Sequence, residues 1–441
     1  MALSDGLASL VIASYGWMGV AAYPLTGPLL ALRAAKGKED RARRLERFGY
    51  PALDRPAGPL VWMHAASVGE TLAIVPLMRE LRRRDINVLL TTGTVTSAEL
   101  ARFRLDGEIL HQYVPLDVRP AVRRFLDYWQ PDIAISVESE IWPTTLMELD
   151  KRHIPQILVN ARMSDRSFAR WSRHSSVAEK LFSKLALVIA QSDLDAERFR
   201  DLGAWPVHVS GNIKVDGDAP PCDDAVLERY RQQIGERKTW ASISTFEGEE
   251  KIATMVHRAL KAHTGLLSIV VPRHPERADE IESMMVERGM KVARRTRDDV
   301  ITPDVDVFLG DTIGEMGLYL RLTEIAFVGR SLTGDGGQNP LEPAMLGCAV
   351  LSGPKVGNFR ESYQRLVRSG SARIVRDAEM LAKAVHFLMS NELARHKMID
   401  AGMESMQEMR GALMATVKGL EPYINPLTVK AKLEPRAARL G

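Results

Sequence analysis

The sequence has few cysteines, little net charge and no low-complexity tract. Cys222 and Cys348 are its only cysteines, and their spacing matches no metal-binding or redox motif. So few cysteines fit a reduced, cytoplasmic setting. The formal net charge of +3 gives no argument for nucleic acid as a partner. With 45% hydrophobic and 26% charged residues, the 441-residue chain has the composition of a globular protein with two or three domains.

Charge is also missing from a stretch near the N-terminus. No charged residue lies between Leu7 and Leu32, and basic residues follow at once, beginning with Arg33. A cleavable signal peptide carries its basic residues before the apolar segment, so this order argues against one. Basic residues on the C-terminal flank place the rest of the chain in the cytoplasm and attract anionic lipid. We therefore predict a membrane anchor in residues 1–32, with a buried core helix as the alternative.

The predicted anchor is short for a membrane span. Pro24 and Pro28 are expected to interrupt its helix. Residues 7–23 alone would form a helix of about 25 Å, at ~1.5 Å per residue. That length is marginal for crossing a bilayer and sufficient for lying in one leaflet, and the sequence leaves both arrangements open.

From about residue 58 onward, short apolar runs alternate with amphipathic stretches, which indicates strands buried on both faces of a parallel α/β sheet. An acidic, Pro-rich stretch at 216–224 indicates a linker, and a second alternating series follows it. The sequence therefore predicts two doubly wound domains that face a cleft, with ligands at the carboxyl ends of the strands. The predicted strands are Leu60–Ala66, Asn87–Thr92, Ile133–Val137, Ile154–Val159, Leu187–Ala190, Val207–Ser210, Trp240–Thr245, Leu266–Val271, Val307–Leu309, Ile325–Val328 and Val350–Leu351. The predicted segments are an anchor (1–32), an N-terminal domain (33–215), a linker (216–236), a C-terminal domain (237–420) and a tail (421–441).

Two motifs of the C-terminal domain begin where strands end. "VPRHPER" (271–277) places Arg273 at the carboxyl edge of a strand, where a guanidinium can hold a phosphate through two hydrogen bonds. A solvated surface arginine is the alternative. "GDTIGEMG" (310–317) has Gly314 and Glu315 at a turn between a strand and a helix, where backbone could contact a base or a sugar. Such turns are common in α/β proteins, so this motif is weak by itself.

The stretch "GRSLTGDGGQNPLEPA" (329–344) is a stronger candidate for a ligand site. Its glycines, among them Gly336 and Gly337, let the backbone approach a ligand closely. Asn339 is expected to cap a helix with Pro340 at its first position, which together with the glycine loop makes an anion site. Glu342 lies one turn inside, where it can accept hydrogen bonds from ribose hydroxyls. The alternative is an ordinary loop and helix cap.

Three carboxylates follow strands of the N-terminal domain. Glu70 ends "HAASVGE" (64–70), where a strand turns into a helix, and Glu138 and Glu140 lie in "SVESEIWP" (136–143). Carboxylates in these places can act as acid or base. Alternatively, Glu70 is stabilised by the helix dipole, and the pair consists of solvated acids with no third metal ligand nearby.

Two cationic residues accompany these carboxylates. Lys214 lies in "SGNIKVD" (210–216), beside the linker, and Arg162 lies in "NARMSDRS" (160–167), after a predicted strand. Both could meet an anionic substrate, and a solvent-facing side chain is the alternative for each.

Together these stretches resemble the Kdo transferases, a family that moves 3-deoxy-D-manno-octulosonic acid (Kdo) from CMP-Kdo onto a lipid A precursor. The matching stretches occur in the family's order, between about residues 60 and 360. They are "HAASVGE", "ESEIWP", "NARMSDRSF", "GNIKVD", "STFEGEE", "VPRHPER", "GDTIGEMG" and "GGQNPLEPA". The apolar N-terminus followed by a basic segment is also similar to the family.

The resemblance implies an inverting, metal-independent glycosyltransferase of the GT-B type at the cytoplasmic face of the inner membrane, with no cofactor. Glu70 matches the family's general base, and Glu138 and Lys214 match positions that stabilise the transition state. Ser67, Gly69 and Arg162 are predicted to face the acceptor. The residues predicted to bind the CMP-Kdo donor are Pro272, Arg273, Ile313, Gly314, Glu315, Gly336, Gly337, Asn339, Pro340, Leu341 and Glu342.

The chain departs from the family at three positions within these stretches. Phe246 and Gln338 each stand where the family usually has His, and Ile313 stands where it usually has Met. Because Gln carries no charge, a phosphate contact near residue 338 is expected to differ.

Two other functions remain open at this point. One is a GT-B enzyme that uses a UDP-sugar on a lipid-linked acceptor, which donor competition would separate. The other is a membrane-tethered nucleotide-binding regulator without catalysis, which would be indifferent to substitution of Glu70. The number of Kdo units added and the acyl pattern of the acceptor are not encoded in any motif.

Overall fold

The computed structural model describes residues 2–105, 107–217, 219–260 and 265–433. The chain folds into two α/β units, each built around a seven-stranded sheet of parallel strands. Unit 1 takes the residues up to Gly217 and those from Arg410 onward, and unit 2 takes the residues between them. The predicted pair of doubly wound α/β domains is confirmed.

Unit 1 contains the strands β1 to β7, the helices α1 to α8 and the C-terminal helix α17 (Ala412–Leu433). The strands are β1 (Leu60–Ala65), β2 (Asn87–Thr92), β3 (Leu110–Tyr113), β4 (Ile133–Val137), β5 (Gln156–Ala161), β6 (Leu187–Ala190) and β7 (Val207–Val209). The helices are α1 (Ala2–Ala35), α2 (Val68–Arg83), α3 (Val95–Leu105), α4 (Arg119–Trp129), α5 (Pro143–Lys151), α6 (Asp165–Ser172), α7 (Ser175–Phe182) and α8 (Asp193–Asp201). The strand order is β3-β2-β1-β4-β5-β6-β7, so the order reverses between β1 and β4. Ligands of doubly wound sheets bind at such a switch point.

Unit 2 repeats this architecture. Its strands are β8 (Thr239–Thr245), β9 (Leu267–Pro272), β10 (Val292–Arg294), β11 (Val307–Leu309), β12 (Ile325–Val328), β13 (Ala349–Ser352) and β14 (Ala372–Ile374). Its helices are α9 (Asp224–Ile234), α10 (Glu249–Ala259), α11 (Ala278–Glu287), α12 (Met316–Leu320), α13 (Leu341–Met345), α14 (Arg360–Arg368), α15 (Ala378–Ser390) and α16 (Glu392–Glu408). The order β10-β11-β9-β8-β12-β13-β14 reverses between β8 and β12.

The central strands are covered on both faces, as their unbroken apolar sequences predict. Every residue of β1, β5, β9, β12 and β13 is buried. Burial on both faces leaves only the strand ends open to a ligand, so the polar residues that follow these strands are the candidates for the site.

The segment predicted as a linker, 216–236, differs from the expectation because much of it is helix α9. The Asp223 carboxylate caps this helix by accepting the N–H groups of Ala225 and Val226. Leu227, Tyr230 and Ile234 are buried at helical spacing, so hydrophobic burial outweighs the acidic, Pro-rich composition before the helix.

The predicted C-terminal tail, 421–441, is also corrected. Helix α17 (Ala412–Leu433) belongs to unit 1, where Leu420 and Ile424 are fully buried in the same core cluster as residues of β1 and β4. Apolar residues at i, i+4 and i+7 make this packing favourable. Residues 434–441 of the predicted tail lie outside the described residues.

Helix α1 runs without a break through Pro24 and Pro28, so the expected interruption is wrong. The Thr26 hydroxyl donates to the Tyr23 carbonyl at 2.6 Å, which satisfies a backbone acceptor near the prolines. Among the described residues, the segment from Gly6 to Ala35 is the one helix long and apolar enough to cross a membrane.

Candidate active site

Glu70 lies in the first turn of α2 and forms a capping box with Ser67. The Ser67 hydroxyl accepts the Glu70 N–H at 3.3 Å and donates to its Oε1 at 2.7 Å. The Ala66 N–H donates to Oε2 at 2.9 Å. This reciprocal pattern is typical of a helix start, so the structural role considered from the sequence is present. The arrangement is a variant of the capping box, because Glu70 accepts the N–H of Ala66 rather than that of the N-cap Ser67. Each carboxylate oxygen keeps a further lone pair for another donor.

The surroundings of Glu70 favour a stronger base than an ordinary glutamate. Burial raises the pKa of Glu70, and the negative charges of Glu138 and Glu140 raise it further. The hydrogen bonds from Ser67 and Ala66 lower this pKa, but burial and the neighbouring charges prevail.

Glu138 is a buried carboxylate with two cationic neighbours. The Lys214 Nζ lies 2.5 Å from its Oε1, and the nearest Arg162 guanidinium nitrogen lies 3.6 Å from its Oε2. Burial alone would raise the pKa of Glu138, but the charges of Lys214 and Arg162 lower it. Glu138 is therefore an anion at neutral pH. Its φ of +59° lies in the left-handed region that favours glycine, and such residues cluster at functional sites.

The fold brings these groups together at the switch point of unit 1. Glu70 follows β1 and Glu138 follows β4, which are neighbouring strands in which His64 lies level with Ser136. Lys214 comes from the short helical turn after β7, where Asn160 at the end of β5 accepts the Ile213 N–H at 3.0 Å. Thus unit 1 gathers the predicted catalytic residues.

His64 is a residue of this site to which the sequence reasoning gave no role. It is buried at the end of β1, and its Nδ1 lies 3.0 Å from the Thr91 carbonyl oxygen. A carbonyl can only accept, so Nδ1 carries a proton. Nε2 lies 3.7 Å from Glu140 Oε2 and has no hydrogen-bond partner among the described residues. This histidine is the first residue of the "HAASVGE" motif.

Ser67 and Gly69 precede Glu70 in the sequence. A Cβ built on Gly69 would meet no atom within 4 Å, so this side of α2 is open. The geometry is compatible with an acceptor that approaches here, and the acceptor contacts of both residues stay predictions.

The predicted donor residues of unit 2 lie at or after the ends of three strands, β9, β11 and β12. In the order β11, β9, β8, β12, each strand ends at the same edge of the sheet. Pro272 ends β9, and the motifs at 310–317 and 329–344 follow β11 and β12. Unit 2 therefore places the predicted CMP-binding segments along one sheet edge, around its own switch point.

Arg273 and the 313–315 turn differ in how they are held. The Arg273 N–H donates to the Thr245 carbonyl at 3.0 Å, while its side chain is exposed. Glu315 accepts from the Arg295 guanidinium at 2.8 Å, and its Oε2 is buried without a hydrogen-bond partner among the described residues. Gly314 has a φ of +87° and Ile313 is 60% exposed. Ile313 at the start of this turn is therefore open to a ligand, whereas Glu315 at its end is held by Arg295.

The loop that contains Gly336 and Gly337 requires glycine, because a side chain would not fit there. A Cβ on Gly336 would lie 2.3 Å from Asn358 Nδ2, and its φ is +100°. Asn339 accepts the Leu341 N–H at 3.1 Å and donates to Glu342 Oε1 at 3.2 Å. Helix α13 begins at Leu341, so Pro340 lies just before it rather than at its first position. This small shift leaves the Asn339–Glu342 pair intact.

Glu249 is a second residue of the site that the sequence reasoning missed. It is fully buried at the start of α10, and its carboxylate accepts the N–H groups of Arg330, Ser331 and Leu332 at 2.6, 2.9 and 3.0 Å. It also accepts the Phe246 N–H at 3.0 Å. Glu249 thus ties the two switch-point loops of unit 2 together. The "STFEGEE" stretch contained it, but its partners lie about 80 residues away.

A metal site was not expected from the sequence. Within residues 2–105, 107–217, 219–260 and 265–433, no group of three or more His, Cys, Asp or Glu is placed to hold a metal ion.

The fold is shared with nucleotide-sugar proteins of the GT-B type. A solved complex of Staphylococcus aureus MnaA with UDP has a TM-score of 0.59 at 13% identity and covers 83% of this chain and 97% of its own. A glycosyltransferase from Rickettsia africae has a TM-score of 0.58 at 11% identity and covers 83% of this chain and 99% of its own. At this low identity the likeness shows the fold alone, and it confirms the predicted GT-B class of two Rossmann-like units.

Sequence comparison identifies the family. Residues 42–217 match the family described as 3-deoxy-D-manno-octulosonic-acid transferase (kdotransferase). The 3-deoxy-D-manno-octulosonic acid transferase of Haemophilus influenzae is 33% identical over 416 residues, or 91% of this chain and 96% of that protein. A probable mitochondrial 3-deoxy-D-manno-octulosonic acid transferase of Arabidopsis thaliana is 34% identical over 382 residues, or 83% of this chain and 86% of that protein. The chain belongs to the Kdo transferase family, and it is a glycosyltransferase of lipopolysaccharide biosynthesis.

Proposed function

We propose that this protein transfers Kdo from CMP-Kdo to a lipid A precursor of the lipid IVA type and releases CMP. One observation carries the proposal: the half-buried Glu70 carboxylate, with its raised pKa, lies at the switch point together with the Glu138–Lys214 ion pair. Such a pairing of two carboxylates in different electrostatic settings is typical of acid–base chemistry. Membership of the Kdo transferase family supports the transferred sugar.

Glu70 acts as the general base in this proposal. The acceptor is a sugar hydroxyl, which becomes a good nucleophile only when its proton is taken in the transition state. The raised pKa brings Glu70 closer to the operating pH, where a base is most effective. Direct attack of the activated hydroxyl on the anomeric carbon breaks the bond to CMP and inverts the configuration at that carbon.

Cationic and backbone groups of the chain stabilise the charge that develops. Negative charge grows on the CMP phosphate as it leaves, and Arg273 with the N–H groups near Gly336 and Gly337 are the donors proposed to meet it. Glu138 is an anion held by Lys214 and Arg162, and we assign it the stabilisation of the oxocarbenium-like sugar. With these groups the proposed reaction requires no metal and no cofactor.

We propose further that α1 holds the enzyme in one leaflet at the cytoplasmic face of the inner membrane. The helix contacts the rest of unit 1 along most of its length. Near its start Lys180 donates to Ser9, and near its end Arg33 pairs with Glu39. These contacts span about 36 Å at ~1.5 Å per residue, more than the ~30 Å hydrocarbon core of a bilayer. A helix attached to its domain along that length is suited to lying in the membrane plane. Its other face exposes Trp17 and Leu25 by 67% and 71%.

The test is to incubate the purified protein with CMP-Kdo and a tetraacylated lipid A precursor and to weigh the product by mass spectrometry. A mass increase of one or more Kdo units is expected, and it also counts the units added. UDP-sugars added in competition should not slow the reaction. Transfer from a UDP-sugar instead, or no transfer at all, would contradict the proposal.

A further inference from the structure

Arg330 has an unusual backbone conformation at the switch point of unit 2. It is the second residue after β12, next to β8 in the sheet. Its φ is +56°, in the left-handed region that residues with a Cβ seldom adopt. Such residues persist where the surrounding structure holds them, and they cluster at ligand sites.

The buried Glu249 carboxylate fixes this conformation. The Arg330 N–H donates to Glu249 Oε2 at 2.6 Å. Only glycine fits at the preceding position, because a Cβ on Gly329 would lie 2.7 Å from that same oxygen and 2.6 Å from the Ser244 carbonyl oxygen. The backbone at Arg330 is therefore held in place before any ligand arrives.

The Arg330 side chain is also held, yet its charge is unpaired. The guanidinium carbon lies 5.0 Å from the centroid of the Phe246 ring, which in turn contacts the His274 ring edge to face at 5.4 Å. A Cβ on Gly334 would lie 2.8 Å from Arg330 Cγ, so this glycine leaves room for the arginine. Within the described part of the chain, the half-buried guanidinium has no carboxylate or carbonyl partner.

We propose that Arg330 binds an anionic group of the nucleotide-sugar donor. A guanidinium held against an aromatic face presents its N–H fork for a phosphate or a carboxylate. The CMP phosphate and the Kdo carboxylate carry this same chemistry, so either can be the bound group. The inference rests on the proposed function. It also gives a role to Phe246, which stands where the family usually has His: the aromatic ring supports a cation placed on the neighbouring loop.

The test compares R330G and R330M with the wild-type protein. Glycine adopts a φ of +56° without strain, so R330G removes the cation and keeps the fold. Both variants are expected to weaken donor binding by about tenfold or more, the usual effect of losing a hydrogen bond to a charged group, with little change in kcat. R330K retains the charge without the guanidinium fork, so its donor affinity should lie between that of the wild-type protein and that of R330G and R330M. G334A keeps the arginine but displaces its Cγ, and it should also raise KM for CMP-Kdo.

Two measurements separate the possible anions. Titration calorimetry with CMP alone reports the phosphate, and KM for CMP-Kdo reports the whole donor. A loss of CMP affinity in R330G assigns the phosphate, whereas unchanged CMP affinity with a raised KM assigns the carboxylate. R258M, at the exposed far end of α10, is the matched control and should leave both values unchanged.

The outcomes also separate this inference from the proposed function. If R330G and R330M match the wild-type protein in CMP affinity and in KM, the role of Arg330 is overturned and the proposed function stands. If the wild-type protein binds neither CMP nor CMP-Kdo, both are overturned. Thermal unfolding of each variant checks that the fold is intact.

Discussion

Replacing Lys214 by Met tests whether the Glu138 ion pair is a buried, coupled unit. The side chains of Lys214 and Glu138 are only 19% and 11% exposed. In K214M the Glu138 carboxylate keeps Arg162 as its cationic neighbour among the described residues, with the nearest nitrogen at 3.6 Å. Removing one partner of a buried pair typically costs about 3 kcal/mol or more, because the other charge stays buried.

This cost should be visible in thermal unfolding. For a unit of this size, 1 kcal/mol shifts Tm by about 2–4 °C, so K214M should lower the Tm of unit 1 by roughly 6–12 °C. K184M is the matched control, since Lys184 pairs with Asp150 at 3.1 Å but both side chains are about one-third exposed. An exposed pair of this kind is worth about 1 kcal/mol or less. The double variant K214M/E138Q removes the orphaned charge and should recover most of the loss.

The pH dependence of this effect has a definite sign. Lys214 and Arg162 lower the pKa of Glu138, so the pair stabilises the fold above the ordinary carboxyl pKa of about 4.3. In K214M less positive charge opposes the effect of burial, so the pKa of Glu138 is higher than in the wild-type protein. As the pH falls, Glu138 of K214M therefore takes up a proton first, and the cost of a buried unpaired charge disappears. The Tm difference between wild type and K214M should therefore shrink as the pH falls toward 4. Equal losses for K214M and K184M, or a difference that grows in acid, would show that Glu138 and Lys214 are not a buried, coupled pair.

Three further predictions concern neighbouring groups. E138Q removes a negative charge that raises the pKa of Glu70, so the acidic limb of the kcat/KM profile should move to lower pH. G69A adds a Cβ that meets no atom within 4 Å, so it should stabilise the helix by about 0.5 kcal/mol while raising KM for the acceptor. E249Q leaves the four N–H groups with one acceptor oxygen, so the free energy of unfolding should fall by about 3 kcal/mol. Hydrogen exchange at residues 330–332 should then accelerate, and Tm should fall.

Each of these has a result that would contradict it. An unmoved acidic limb in E138Q would show that the two carboxylates are not coupled. Acceptor kinetics in G69A that match the wild type would remove Gly69 from the acceptor site. The exposed variant E247Q loses the same charge two residues away, and equal exchange rates for E247Q and E249Q would deny Glu249 its positioning role.

Central strands were predictable from sequence, whereas three of the four edge strands were not. The bounds of β2, β4, β6, β11 and β12 agree with the prediction, because these runs are apolar and buried on both faces. The strands β3, β10 and β14 were missed. Each lies at or beside a sheet edge, has three or four residues and includes polar side chains, so the apolar signal is weak. Helix α17 was missed because Pro422 and Pro426 obscure its helical period.

The candidate site was predictable as a set of segments but not as a set of contacts. Sequence motifs placed Glu70, Glu138 and Lys214 after strands, and the fold gathers them. The role of Glu249 depends on N–H groups about 80 residues away, and the left-handed φ of Arg330 has no signature in the sequence. Contacts of this kind arise from the tertiary fold alone.

The account depends most on Glu70 as the base, and one comparison tests it directly. The initial rate of Kdo transfer and the affinity for CMP should be measured for the wild-type protein, E70Q and E70A. The E70Q side chain keeps a hydrogen-bonding group at the cap but cannot take a proton. The account predicts a fall in rate of about 10²–10⁴-fold with CMP affinity unchanged. Transfer by E70Q within a few-fold of the wild-type rate would contradict it and leave Glu70 as a helix cap.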